Sequence, residues 1–91
     1  MPSFEVHCAD CKRELGEEFP DVHIWLDEYF ATMGPKHRIV RHHVEGIEEA
    51  RRIFGDRGAK AAEIHIRADC DGKVPTMEQI KLQSLFTWGR K

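Results

Sequence analysis

Between Pro35 and Gly55 the chain carries the pattern that most restricts its fold. Val40, His43, Val44, Ile47, Ala50 and Phe54 recur at steps of three and four residues, the spacing that lines one face of a helix. Pro35 suits a first helical turn and Gly55 a C-terminal stop, while Glu45, Glu48 and Glu49 alternate with Arg41, Arg51 and Arg52 along the outer faces. The spacing therefore predicts one helix over 35–55 with His43 turned into the core.

Further helices flank this stretch. Ser3 is a candidate N-cap and Gly16 a terminator for a helix over 4–15, with Phe4, Cys8, Cys11 and Leu15 on one face. Asp21 caps a second helix whose apolar side holds Val22, Trp25, Leu26, Tyr29, Phe30 and Met33, and Gly34-Pro35 ends it. Asp56-Arg57-Gly58 reads as a turn. Residues 59–70 alternate mildly, as a strand would, but Ala62, Ile66 and Cys70 fall at four-residue steps and a lone strand has no sheet to join, so helix is expected. Asp71-Gly72-Lys73 is a turn and Val74-Pro75 an extended entry. Thr76 and Gln79 then form a capping box for a last helix carrying Met77, Ile80, Leu82, Leu85 and Phe86, with 87–91 a frayed tail. The expected fold is all-α, a compact bundle of about four to five helices in a single domain over 1–91.

A chain of 91 residues has little interior, so a metal or a second subunit, as in a homo-oligomer, would help to stabilise it. Fourteen Lys and Arg against 16 Asp and Glu give a net charge of −2, which offers no general attraction for nucleic acid or other polyphosphate. There is no long apolar run and no basic-then-hydrophobic N-terminus, so the chain reads as cytoplasmic, with neither a membrane span nor a signal peptide. Three cysteines cannot all pair within one chain, and Cys8-x-x-Cys11 has no second copy to complete a zinc knuckle, so buried thiols are the favoured reading over ligands.

The chemical signal lies in six histidines, at positions 7, 23, 37, 42, 43 and 65. His23 with Asp27 and His65 with Asp69 each stand four apart and so share a helical face, where the carboxylate can join the imidazole on a metal or orient it. Taken singly, each pair is more simply a solvated ion pair or a hydrogen-bonded core histidine. Taken together, three helices could bring several N and O donors to one ion. His23, His43, His65, Asp27 and Asp69 are the candidate ligands, suited to zinc and also to Mn, Fe or Ni. On a continuous helix His42 and His43 point roughly 100° apart, so His42 is assigned an outer position. His7, His37, Cys8 and Cys11 are alternative or supporting ligands, and Arg38 and Arg41 are candidates to face an anion or a partner.

Val22-His23-x-Trp25-Leu26-Asp27, then Arg41-His42-His43-x-Glu45-Gly46-Ile47, then Glu63-Ile64-His65-Ile66-x-x-Asp69 before Val74-Pro75-Thr76 resemble a family of short bacterial and phage proteins of unknown function. The likeness runs from His7 onward, with Ile24 in place of the family's aspartate and the Cys8–Cys11 pair as departures. It points to His23, Asp27, His37, His42, His43, His65 and Asp69 without implying a reaction. A looser cadence, Arg38 to Ala50 followed by Ala61 to Ile66, is similar to the HD-type metal phosphohydrolases, which would imply a helical metal-dependent hydrolase. Here Ile66 stands at the position of the aspartate in their His-Asp dyad.

Three functions follow in order. The first is metal binding with no reaction assigned, so that whether the chain is an enzyme is left open. The second is a non-enzymatic interaction module using Lys36, Arg38, Arg41, Arg51, Arg52, Arg57 and Trp88. The third is a metal-dependent hydrolase with Arg38 or Arg41 steadying an anionic substrate.

Overall fold

The computed structural model of the chain describes residues 3–83, and every regular element among them is helical. In order these are α1 (Phe4–Leu15), α2 (Pro20–Leu26), α3 (Phe30–Met33), a 3-10 turn (Gly34–His37), α4 (Arg38–Arg41), α5 (Val44–Asp69) and α6 (Met77–Gln83). The all-α expectation holds, and the stretch over 59–69 is helical.

The ends of α1 are set locally. Ser3 Oγ accepts from the Val6 N–H at 3.3 Å, and Gly16 leaves the helix at φ 83°. The capping box before α6 also forms, with the Thr76 N–H donating to Gln79 Oε1 at 2.9 Å and the Gln79 N–H to Thr76 Oγ1 at 3.1 Å. Two further bonds tie this entry to the start of α5. The Val44 N–H donates to the Pro75 carbonyl at 2.9 Å and the Met77 N–H to Glu45 Oε1 at 3.1 Å. Leu85, Phe86, Trp88 and the tail over 87–91 lie outside the described residues.

The single helix expected over 35–55 is interrupted. His43 is extended (φ −158°, ψ 177°), its Nδ1 accepts from the Gly46 N–H at 3.0 Å, and α5 starts there with a histidine as its N-cap. Gly46 permits this crossing, because a Cβ at that position would lie 1.8 Å from the Arg41 carbonyl oxygen. Periodicity counted through the break mixes two faces, which is why Val44 is exposed while Ile47 and Ala50 are buried. Gly55 (φ 84°, ψ −177°) leaves helical geometry and so ends the first arm of α5, as expected, and a second helical arm runs directly on through 56–58, where a turn was expected. The alanine-rich run that follows favours helix, and Gly58 is buried where a Cβ would sit 2.2 Å from that of Phe54.

The second helix is shorter than its apolar stripe implied. It ends at Leu26, Asp27 closes it by donating its N–H to the His23 carbonyl, and Tyr29, Phe30 and Met33 are exposed rather than core. Phe4 and Leu82 are exposed as well. The apolar core is small and tight, formed by Val22, Leu26, Ile47 and Ile66 with Cys11, Ala50, Ala59, Ala61 and Ala62, and flanked by Trp25 and Phe54. Alanines on α5 let α1 and α2 approach it closely.

Candidate metal centre

A second buried layer is polar. All six histidines are buried, none more than 1 % exposed, and among the described residues they outnumber the large aliphatic side chains that are fully enclosed. His7 comes from α1, His23 from α2, His37 from the 3-10 turn, His42 from the break before α5 and His65 from the second arm of α5. Their rings are in mutual contact. His7 stacks on His65 with centroids 3.6 Å apart, and His42 meets His65 at 5.1 Å and His37 at 4.8 Å. Asp27 enters from the C-cap of α2 and Asp69 from the last turn of α5.

His42 Nε2 lies 3.3 Å from Asp27 Oδ1 and 3.2 Å from Asp69 Oδ2. His65 Nε2 lies 3.4 Å and 3.3 Å from the same two oxygens. These four donor atoms all fall within 4.8 Å of one another, and the group could hold a metal ion. The contacts are not aligned as hydrogen bonds: both nitrogens of His42, Nε2 of His65 and both oxygens of Asp69 are buried with no hydrogen-bond partner. Each such atom costs about 1–3 kcal/mol when left unpaired, so their concentration at one point calls for an explanation. The four N–O separations, 3.2–3.4 Å, are close to the donor–donor edge of about 3.3–3.4 Å around a tetrahedral ion with bonds of about 2.0–2.1 Å, and the group as a whole, spanning up to 4.8 Å, would draw inward on binding one.

Hydrogen bonding fixes which face of each ring carries a lone pair. Burial, and then the charge of His65, pushes His23 down to about 4, so its ring is neutral at pH 7. His23 Nε2–H donates to the Glu18 carbonyl at 2.9 Å, which leaves Nδ1 as an acceptor facing His65 Nδ1 at 3.0 Å. His65 must then carry hydrogen on Nδ1, and its Nε2 faces two carboxylate oxygens. The same holds at His37, whose Nδ1–H donates to the Gly34 carbonyl at 2.7 Å while Nε2 meets Asp27 Oδ1 at 3.1 Å. A lone pair aimed at a carboxylate is repulsive unless a cation, proton or metal, stands between them.

The carboxylates are held ionised. Burial alone would raise Asp27, but His37, His42 and His65 outweigh it and keep its carboxyl far below the usual range. Asp69 is depressed in the same way, burial being overcome by His42, His65 and His7. Burial lowers His65 while Asp27 and Asp69 raise it, and the net shift is upward, so a proton occupies Nε2 more readily than in free histidine.

Of the five residues expected as ligands, Asp27, His65 and Asp69 come together, and His23 stands directly behind His65. His43 does not join them. Its Nδ1 accepts from Gly46 and its Nε2–H donates to the Ile39 carbonyl at 2.9 Å, so both nitrogens are engaged in starting α5. His42, given an outer position on the assumption of a continuous helix, faces both carboxylates instead. The only hint in the sequence was Gly46, three residues beyond His43, where a helix interior has no need of glycine. Cys11 is fully buried, donates weakly to the Ala61 carbonyl and has its thiol pushed up to about 11 by burial and then by Cys8; neither Cys8 nor Cys11 belongs to the group of four. Arg41 serves the fold, its guanidinium 4.2 Å over the Trp25 ring while it donates to the Trp25 carbonyl and pairs with Glu28. Arg38 lines a cavity of about 360 Å³ with Asp69, Cys70, Lys73 and Gln79.

The chain belongs to a family described as a domain of unknown function, DUF6915, which matches residues 3–85 and so includes every ligand candidate. Neither a curated protein nor a solved structure matches it, and the HD-type likeness gains no support from these comparisons. Among the described residues no helix is long and apolar enough to cross a membrane.

Proposed function

We propose that this chain, as a member of a family without an assigned activity, is a metal-binding domain whose buried centre takes a divalent first-row transition ion, zinc first among them. His42 Nε2, His65 Nε2, Asp27 Oδ1 and Asp69 Oδ2 are the ligands. The observation that carries the reading is the convergence of His42 Nε2 and His65 Nε2 on Asp27 Oδ1 and Asp69 Oδ2 at 3.2–3.4 Å, with both imidazole atoms and the Asp69 oxygens lacking a hydrogen-bond partner and the side chains of His42, His65 and Asp69 fully enclosed. A set of two imidazoles and two carboxylates suits zinc, and Mn, Fe and Ni share the same donor types. The ion would join α2, the α4–α5 break and the end of α5, cross-linking a domain whose small apolar core includes four alanines.

Elemental analysis of protein prepared without a nickel column tests this, together with melting curves at rising zinc. Stoichiometric metal and a rising Tm are expected. Absence of metal combined with an unchanged Tm would refute it.

A second reading, a metal-dependent hydrolase acting on an anion, is favoured by the cavity in which Arg38 and Lys73 adjoin Asp69. It requires that zinc- or manganese-loaded protein turn over a simple phosphomonoester, with Lys73→Ala slowing it. The interaction module draws less support, because Arg51 pairs with Glu48 and Asp56, and Arg57 with Glu17.

A further inference from the structure

His7 is unused by the four-ligand centre, yet it is as enclosed as any residue in the chain, with no exposed surface and no hydrogen-bond partner for either ring nitrogen. It lies parallel to His65, the two planes 15° apart. The two rings divide one carboxylate between them: His65 Nε2 is 3.3 Å from Asp69 Oδ2, and His7 Nε2 is 3.3 Å from Asp69 Oδ1. Oδ1, like Oδ2, is buried and without a hydrogen-bond partner.

We propose that Asp69 bridges two metal ions. The first is held through Oδ2 with His42, His65 and Asp27, and the second through Oδ1 with His7. This rests on the reading above and extends it from one ion to two. A side chain of leucine or phenylalanine would fill the place of His7 without leaving two polar atoms unpaired, so a buried imidazole aimed at a lone carboxylate oxygen is best explained by a cation that both touch. With only two protein donors the second ion keeps open positions. Two divalent ions carry four positive charges against the two negative charges of Asp27 and Asp69, so those positions call for an anionic oxygen ligand, hydroxide or the oxygen of a phosphate or carboxylate.

The test uses the full chain loaded with Mn2+ alone and freed of excess metal, read by elemental analysis and by electron paramagnetic resonance. Two ions per chain with an exchange-coupled signal are expected, since a shared carboxylate holds such ions on the order of 3.5–4 Å apart. His7→Ala should bind one ion and give an uncoupled signal, with affinity for the remaining ion within about threefold of the first site. If that variant does not fold, His7→Gln, which can still hydrogen-bond, serves in its place with the same expectation. One ion per chain in the unmodified protein, or two retained in the His7 variant, would overturn the bridge and leave the single-ion centre standing. No bound ion at all would overturn both.

Discussion

The apolar core and the imidazole–carboxylate layer are both buried, the second reaching solvent at Asp27, but they are stable for different reasons. Val22, Leu26, Ile47, Ile66 and the alanines of α5 need only one another, and their burial is favourable in any aqueous condition. His7, His42 and Asp69, with Nε2 of His65, have been taken out of water with their polar atoms unpaired, and this is favourable only if something supplies positive charge at their centre. The lesson of the contrast is that the core can assemble by itself, whereas the polar layer depends on a proton or a metal, and the stability of the domain should depend on which is present.

The largest effect belongs to the core. Ile66→Ala should cost about 2–5 kcal/mol and by the same amount with and without zinc; denaturant unfolding of both forms would show it, and a loss that zinc restores would blur the division between the layers. Next, zinc at one hundred times its Kd should stabilise the native chain by about 2.7 kcal/mol, which at about 4–8 °C per kcal/mol is a large rise in Tm. Asp69→Asn should abolish that rise, since it removes the charge both imidazoles face while keeping the shape.

His23→Ala sharpens the comparison further, because His23 is not itself one of the four ligands yet fixes the hydrogen on His65. It should weaken zinc binding by about 10–100-fold, measured by competition with a chelator of known affinity. Zinc binding should also depend on pH through His65: protonated Nε2 cannot ligate, its pKa is raised by Asp27 and Asp69, and so affinity falls as pH drops through that raised value. Calorimetry in two buffers of different ionisation enthalpy, at a pH where His65 is protonated, should report a proton released on binding, and buffer-independent heats would contradict this. The smallest effect is at Ser3, where Ala should cost about 1 kcal/mol through the lost cap and leave zinc affinity unchanged.

Much of the fold was legible because it depends on neighbours in sequence. Ser3 with Gly16 bounded α1, and Thr76 with Gln79 announced α6, since a cap is a contact across three or four residues. The pairs His23–Asp27 and His65–Asp69 were legible for the same reason, and both lie in the polar layer. The exchange of His43 for His42 was not. It turns on a break in a helix whose periodicity looked continuous, and the break depends on the Arg41 carbonyl lying where Gly46 has no side chain.

The sequence by itself determined the helical class, both ends of α1, the start of α6 and which residue types would form a site, because propensity, caps and four-residue spacing act within a turn or two of the chain. Which imidazoles face which carboxylates, and with which nitrogen, was decided only by the tertiary structure. Orientation there depends on Glu18, Gly34 and Ile39 carbonyls that bond histidines from three to five residues away and, for His7, His37 and His42, on carboxylates ten to 62 positions distant. No local pattern encodes a lone pair's direction; it follows from what the opposite side of the ring is bonded to.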